Sequence, residues 1–360
     1  MIVNKKKPRL VWLDSLRGFA ILFLIVMHYI GAVESRGLVS PEIVEYIKSI
    51  FRVATPLFIT VFGFTISYIF YGKVSEPKGL KKLILWSFRR LPKVLLGREV
   101  IVLLYSFSHP EQLTSLIDVL LYKQFSQAGE ILTFYFLAIL LTPYVLYFIF
   151  NNRLVVTLPV FSILYISSYL IGINYSTDDN GALFRLFFYD VYPFFPFYCC
   201  VIFGIYLAIL YFKIESDKKR LVYFFVLSLC MMSIGLFYLN SLTSTLLQDL
   251  SSAYFKAPPH PAYLLLYIGG AIFISTLIGL SVSSKFFPTS LKYVLSIIGK
   301  NSLLAYVLHY LLHFTVPITL FFIGNKNTYF EVLIFIGILF LIFFLLQKMT
   351  NYKANEGRVV

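Results

Sequence analysis

The sequence predicts an all-α integral membrane protein: one polytopic bundle of about ten transmembrane helices, residues 1–360 forming a single domain with both termini cytoplasmic. Three observations carry this expectation. Hydrophobic residues make up 59% of the chain and charged residues only 13%, with a mean hydropathy of +0.81, more apolar surface than a water-soluble fold can hide. The apolar runs are continuous rather than alternating, and a backbone in hydrocarbon satisfies its hydrogen bonds either in helices or in a closed barrel, so continuity selects helices. No long polar segment is available in which to place a soluble domain.

The first expected span, residues 10–31, follows Lys5, Lys6, Lys7 and Arg9 and so has the outline of a signal peptide. It lacks a small-residue cleavage site and contains Asp14 and Arg17, which makes it a retained first helix. The second runs over 50–71. The third, 83–108, is the weakest, because Arg89, Arg90, Pro92, Lys93, Arg98 and Glu99 interrupt its first half; it is expected to start in the interface and enter the membrane near Val100. Residues 109–130 are too polar to span, although LIDVLLY at 116–122 suits the interface. Further spans follow over 131–150, 154–174, 192–212, 221–240, 263–282, 301–324 and 331–347.

Threading these alternately puts 22 of the 31 Lys and Arg residues on the cytoplasmic side, the asymmetry of the positive-inside rule. The net charge of +14 is thereby a topology signal: the basic residues are scattered between apolar runs, and no nucleic-acid surface is implied. Cys199, Cys200 and Cys230 lie inside apolar stretches as small hydrophobes, without a disulfide framework or metal spacing. The outer connections 32–47, 109–130, 175–191 and 241–262 are long enough to build a ligand site, whereas the inner ones are short and basic.

The segment LDSLRGFAILFLIVMH, Leu13 to His28, is the most informative. Asp, Arg and His inside one apolar helix are costly in hydrocarbon, so each is a functional candidate. At ~100° per residue, the steps from Arg17 to His28 return to within about 20° of the same face, and Asp14 falls on that stripe. His28 then stands roughly 16 Å from Arg17 along the axis. Gly18 on the same stripe leaves room for a ligand or a helix to approach. The plainer alternative is that Arg17 snorkels to the inner headgroups, Asp14 pairs with it at i, i+3, and His28 sits at the outer interface.

This string, an Arg followed after ten residues by a His, resembles the first helix of the transmembrane acyltransferase superfamily, which includes the acyltransferase-3, OpgC-like and heparan-α-glucosaminide N-acetyltransferase groups. Thr55-Pro56-Leu57-Phe58 leading to Phe62-Gly63-Phe64 resembles the second-helix motif, with Phe62 where acyltransferase-3 members have Ser. Arg89-Arg90-Leu91-Pro92 resembles the basic motif that follows, Lys256 to Pro261 a double-proline element, and Ile298 to His309 the late helix. The resemblance implies transfer of an acyl group, commonly acetyl, from cytoplasmic acyl-CoA to a hydroxyl or amine of an exported glycan or lipid-linked sugar.

On that reading His28 is the candidate catalytic base, its unperturbed pKa of about 6.5 suiting it to a sugar hydroxyl, or it carries the acyl group transiently. Arg17 serves a phosphate or polarises the thioester carbonyl, and Asp14 holds it in place. Arg89, Arg90 and Lys93 are candidates for the CoA phosphates, with a bare topology signal as the alternative. Glu130, Arg185, Asp190 and His309 are candidates for the acceptor site. His309 and His313 share a helix face at i, i+4, but no third ligand with metal spacing is visible, so no metal is expected. The aromatic run 184–198 suits an interfacial belt and also stacking on sugar rings. The rival reading is a transporter or flippase for a lipid-linked sugar, which predicts inverted repeats and paired broken helices.

Overall fold

The computed structural model describes residues 9–34, 40–108, 115–126, 128–175, 181–283, 288–311 and 328–356. Their regular structure is a succession of helices: α1 (Val11–Glu34), α2 (Pro41–Phe51), α3 (Ala54–Phe70), α4 (Gly79–Phe88), α5 (Leu91–Ser108), α6 (Leu116–Leu120), α7 (Glu130–Asn151) and α8 (Leu154–Asn174) in the first half. The second half contains α9 (Ala182–Phe188), α10 (Phe194–Lys213), α11 (Asp217–Leu242), α12 (Leu246–Ser252), α13 (Pro261–Ser283), α14 (Thr289–Lys300), α15 (Ser302–His309) and α16 (Thr328–Glu356).

Seven described segments are long and apolar enough to cross a bilayer: those of α1, α2 with α3, α7, α8, α10, α11 and α13. They coincide with seven of the ten expected spans. The other three are not among these seven. The 83–108 run breaks at Arg89 and Arg90 into α4 and α5, and Lys93, Arg98 and Glu99 give α5 three charges in its first nine residues. The run from residue 301 opens with a bend of 87° between α14 and α15, and residues 312–327 lie outside the described set. The last expected span, 331–347, lies within the single helix α16, of which Phe335–Asn351 is apolar.

Helix pairs meet through glycines. A β-carbon on Gly18 would lie 2.1 Å from the Leu295 carbonyl oxygen, and one on Gly299 would lie 1.7 Å from that of Asp14. Gly63 and Gly204 bring α3 and α10 together in the same way, each 2.1 Å from a backbone oxygen of the facing helix, Val201 and Thr60. In hydrocarbon no hydrophobic force drives helices together, so backbone-to-backbone packing at small residues does. The space expected at Gly18 is therefore filled by α14 and is not open to a ligand. Around this inner group, α8 and α11 turn most of their apolar side chains outward, as lipid-facing helices do.

Candidate active site

Near the N-terminal end of α1, Asp14 is buried and accepts hydrogen bonds from Arg9, Nε to Oδ2 at 2.5 Å and Nη2 to Oδ1 at 3.2 Å. Arg17 Nη1 stands 3.6 Å from Asp14 Oδ1, so the expected i, i+3 pair exists but Arg9 holds the carboxylate more closely. The other arm of Arg17 reaches across to α3, where Nη2 donates to Thr65 Oγ1 at 2.6 Å. Thr65 in turn donates to the Val61 carbonyl at 2.6 Å. The guanidinium is thus pinned between two helices with about a quarter of the side chain accessible (24%). A residue that only snorkelled would not need this second helix.

Two further groups act electrostatically on Arg17: Arg90 and Tyr135. Arg90 sits at the break between α4 and α5, its guanidinium 3.8 Å above the Trp86 ring, and Arg89, Arg90 and Lys93 are all exposed there. The basic cluster therefore opens at the same end of the bundle as Arg17. Tyr135, on α7, is buried edge-on to Phe58 and Phe62, and among the described residues its hydroxyl has no hydrogen-bond partner. Nothing in the sequence singles out Tyr135 among the chain's 27 tyrosines.

Toward the other end of α1, His28 meets α15. Its ring centroid lies 5.1 Å from that of His309 and 5.8 Å from that of Tyr310. Nδ1 of buried His309 contacts the Tyr306 carbonyl, an acceptor, which puts the ring proton on Nδ1 and the lone pair on Nε2. His313 lies outside the described residues. His28 also lines a cavity of about 220 Å³ together with Arg52, Thr55, Tyr192, Lys256 and Tyr263. A second cavity, about 390 Å³ and mostly apolar, lies against Leu13, Leu16, Phe64 and Ala271, with Asp217 and Arg220 also in its lining; neither Arg17 nor His28 lines it.

Other expected acceptor residues divide. Glu130 is buried at the start of α7, after Gly129 with φ +85°, and Oε1 lies 4.0 Å from Arg98 Nη2. It is not a solvated loop charge. Arg98, almost fully buried, donates from Nη1 to Glu99 at 3.1 Å and to the Val119 carbonyl at 3.0 Å, and Tyr122 donates to Glu99 at 3.1 Å. Burial pushes the Tyr122 phenol up to about 12, against the pull of Arg98 and with Glu99 adding to the rise. Glu130 also acts electrostatically on Tyr306 of the late helix. Arg98 was legible only as an intramembrane charge; its partners were not.

Asp190 pairs with Arg185 at 3.8 Å and accepts the Val191 N–H at 2.6 Å. Asp190 is within electrostatic reach of Glu130, whereas Arg185 is exposed and does not line the cavity. Among the described residues, no three of His, Cys, Asp and Glu gather in a way that could hold a metal ion.

No match was found among curated proteins or among solved structures. A family model was matched, described as an acyltransferase domain and named for the acyltransferase-3 group, over residues 10–347. That range takes in the Arg17 end, the His28–His309 pair and every helix between them. The chain belongs to the acyltransferase-3 family of membrane acyltransferases.

Proposed function

We propose that this acyltransferase moves an acyl group, with acetyl the expected one, from cytoplasmic acyl-CoA to a hydroxyl or amine of an exported glycan or lipid-linked sugar. One observation carries the reading: a single helix presents Arg17 beside an exposed basic cluster and, roughly 16 Å further along, His28 at a polar cavity. Both ends of an acyl-CoA molecule find a partner in that arrangement. The phosphates dock on Arg89, Arg90 and Lys93 at the cytoplasmic rim, where planar guanidinium groups and a lysine read phosphate well. Pantetheine then passes Arg17 and carries the thioester toward His28.

At the far end the acceptor hydroxyl gives its proton to an imidazole as its oxygen attacks the thioester carbonyl. The tetrahedral intermediate collapses, the carbon–sulfur bond breaks and the CoA thiolate leaves. His28 is the base, and His309, whose lone pair is held on Nε2, stands beside it to take part in the proton transfer. A transient acyl-imidazole on His28 uses the same geometry, with the acceptor attacking in a second step. Orientation follows the charge bias: the Arg89–Arg90 end and both termini lie inside, and the cavity opens outward, across about ten spans.

Comparing the acyl esters and amides of envelope glycans in cells with and without the protein tests the reading. Loss of one glycan's acyl group is the expected outcome; an unchanged acylation profile overturns it.

A further inference from the structure

Among the described residues, the cavity that His28 lines holds two cations and no carboxylate. Arg52 enters it from the turn between α2 and α3, and Lys256 from the connection between α12 and α13; none of its lining residues is Asp or Glu. The contacts that hold these cations do not neutralise them. Arg52 donates through Nε to the Leu250 carbonyl at 2.6 Å and through Nη2 to that of Ser251, so its position is fixed by neutral acceptors. The Lys256 ammonium lies 3.8 Å from the centre of the Tyr192 ring and also interacts with its hydroxyl, so its partner is a phenol and not a carboxylate. Among the described carboxylates, Glu34 pairs with Lys48, Asp190 with Arg185, and Asp249 accepts from the hydroxyls of Thr243 and Thr245.

Arg52 acts electrostatically on both Lys256 and Tyr192. Burial lowers the Lys256 pKa, Tyr192 offsets part of the fall, and Arg52 lowers it again. For Tyr192 burial alone would raise the phenol, yet Lys256, a Thr55 hydrogen bond and Arg52 together bring it below its ordinary value. Charge taken partly out of water and left uncompensated is unfavourable, and an anion seated between Arg52 and Lys256 removes the penalty. At about 220 Å³ the space is below the ~300 Å³ at which pockets for drug-sized ligands begin, so one ring or one headgroup enters, not a chain.

We infer that this cavity binds an anionic group of the acceptor, a carboxylate or a phosphate, placed between Arg52 and Lys256 so that the neighbouring hydroxyl or amine faces His28. The acceptor is then an acidic sugar or a phosphate-bearing glycolipid, not a neutral glycan. This rests on the acyl-transfer reading only for the role of His28; the anion preference of the cavity stands apart from it.

Calorimetry on the full-length protein in detergent, titrated with glucuronate, glucose 6-phosphate and glucose, tests the inference. At least one charged sugar is expected to bind about tenfold tighter than glucose, the scale of one charge-assisted bond. Preference for glucuronate identifies a carboxylate, and preference for glucose 6-phosphate a phosphate. The preference should shrink with added salt, vanish in Lys256→Gln and return in Lys256→Arg. Acetyl-CoA titrated into the same samples reports whether each variant is folded. Equal binding of all three sugars by wild type, or a preference that survives Lys256→Gln, overturns the inference. A wild type that prefers charged sugars but fails to bind acetyl-CoA leaves the anion site standing and removes the acyl-CoA reading instead.

Discussion

Arg17 and His28 share one face of α1 but are held differently, and the difference sets what each substitution should do. Arg17 is wedged between Asp14 and Thr65, a two-sided grip that depends on a planar fork with donors on separate nitrogens. Arg17→Lys keeps the charge and loses one side of the grip, so acyl transfer measured with labelled acetyl-CoA should fall at least about tenfold, the scale of one lost charge-assisted bond. Full activity in this variant would reduce Arg17 to a snorkelling residue. His28 stands against His309 and Tyr310 at the cavity wall. His28→Ala is expected to abolish transfer while expression and membrane insertion stay near wild type, since one His near the end of a span adds little to insertion. His309→Ala should slow transfer less, by about 10²-fold if the ring works only as a proton-transfer partner. Wild-type turnover in His28→Ala would remove the imidazole from the chemistry.

Elements acquire their roles from how closely they meet and where they break. The Gly18 and Gly299 contact locks α1 onto α14 at the level of Asp14, so the helix that bears the charged stripe cannot shift without dragging Arg17 away from Thr65. Gly299→Ala would force the helices apart and should lower stability by about 1 to 3 kcal/mol, the usual cost of overpacking. A clear fall in thermal midpoint, together with reduced acetyl-CoA binding, is the expected pair of readings; an unchanged midpoint would show that α14 yields freely. At the other packing extreme, the break between α4 and α5 leaves Arg89 and Arg90 exposed, with Arg90 electrostatically linked to Arg17. Neutralising both should weaken acyl-CoA binding steeply, each lost charge-assisted bond being worth roughly 1.5 to 3 kcal/mol, with acceptor affinity scarcely altered. Calorimetry with acetyl-CoA on wild type and the double variant decides it, and equal binding by both would move the phosphate site elsewhere.

For the whole molecule, the polarity of the bundle is the claim on which donor and acceptor sides depend. Residues 72–82 and 213–220 are expected to face the cytoplasm and 241–262 the outside. Single cysteines introduced there in a background lacking Cys199, Cys200 and Cys230 should label with an impermeant thiol reagent only in the last segment when cells are intact. Labelling of both basic segments from outside would invert the bundle and place acyl-CoA on the wrong side. Arg52 and Lys256 line one cavity with His28, so the same labelling tests whether that cavity faces outward, as the proposed exported acceptor requires.

The sequence by itself determined the helical membrane class, seven of the spans and the Arg17 to His28 stripe. These rest on composition and on periodicity within one segment, and both are local properties that hydrocarbon enforces at every residue. It also marked Arg98 and Glu130 as charges in or beside apolar runs, without saying that they face each other. Only the tertiary structure decided that His309 stands beside His28, that Thr65 grips Arg17, and that Arg52 and Lys256 share one cavity. Each of those pairings joins residues far apart in the chain, where no periodicity carries information. Their meeting depends on which glycines let which helices touch and on the 87° turn between α14 and α15, which is a property of packing and is not written in any one segment.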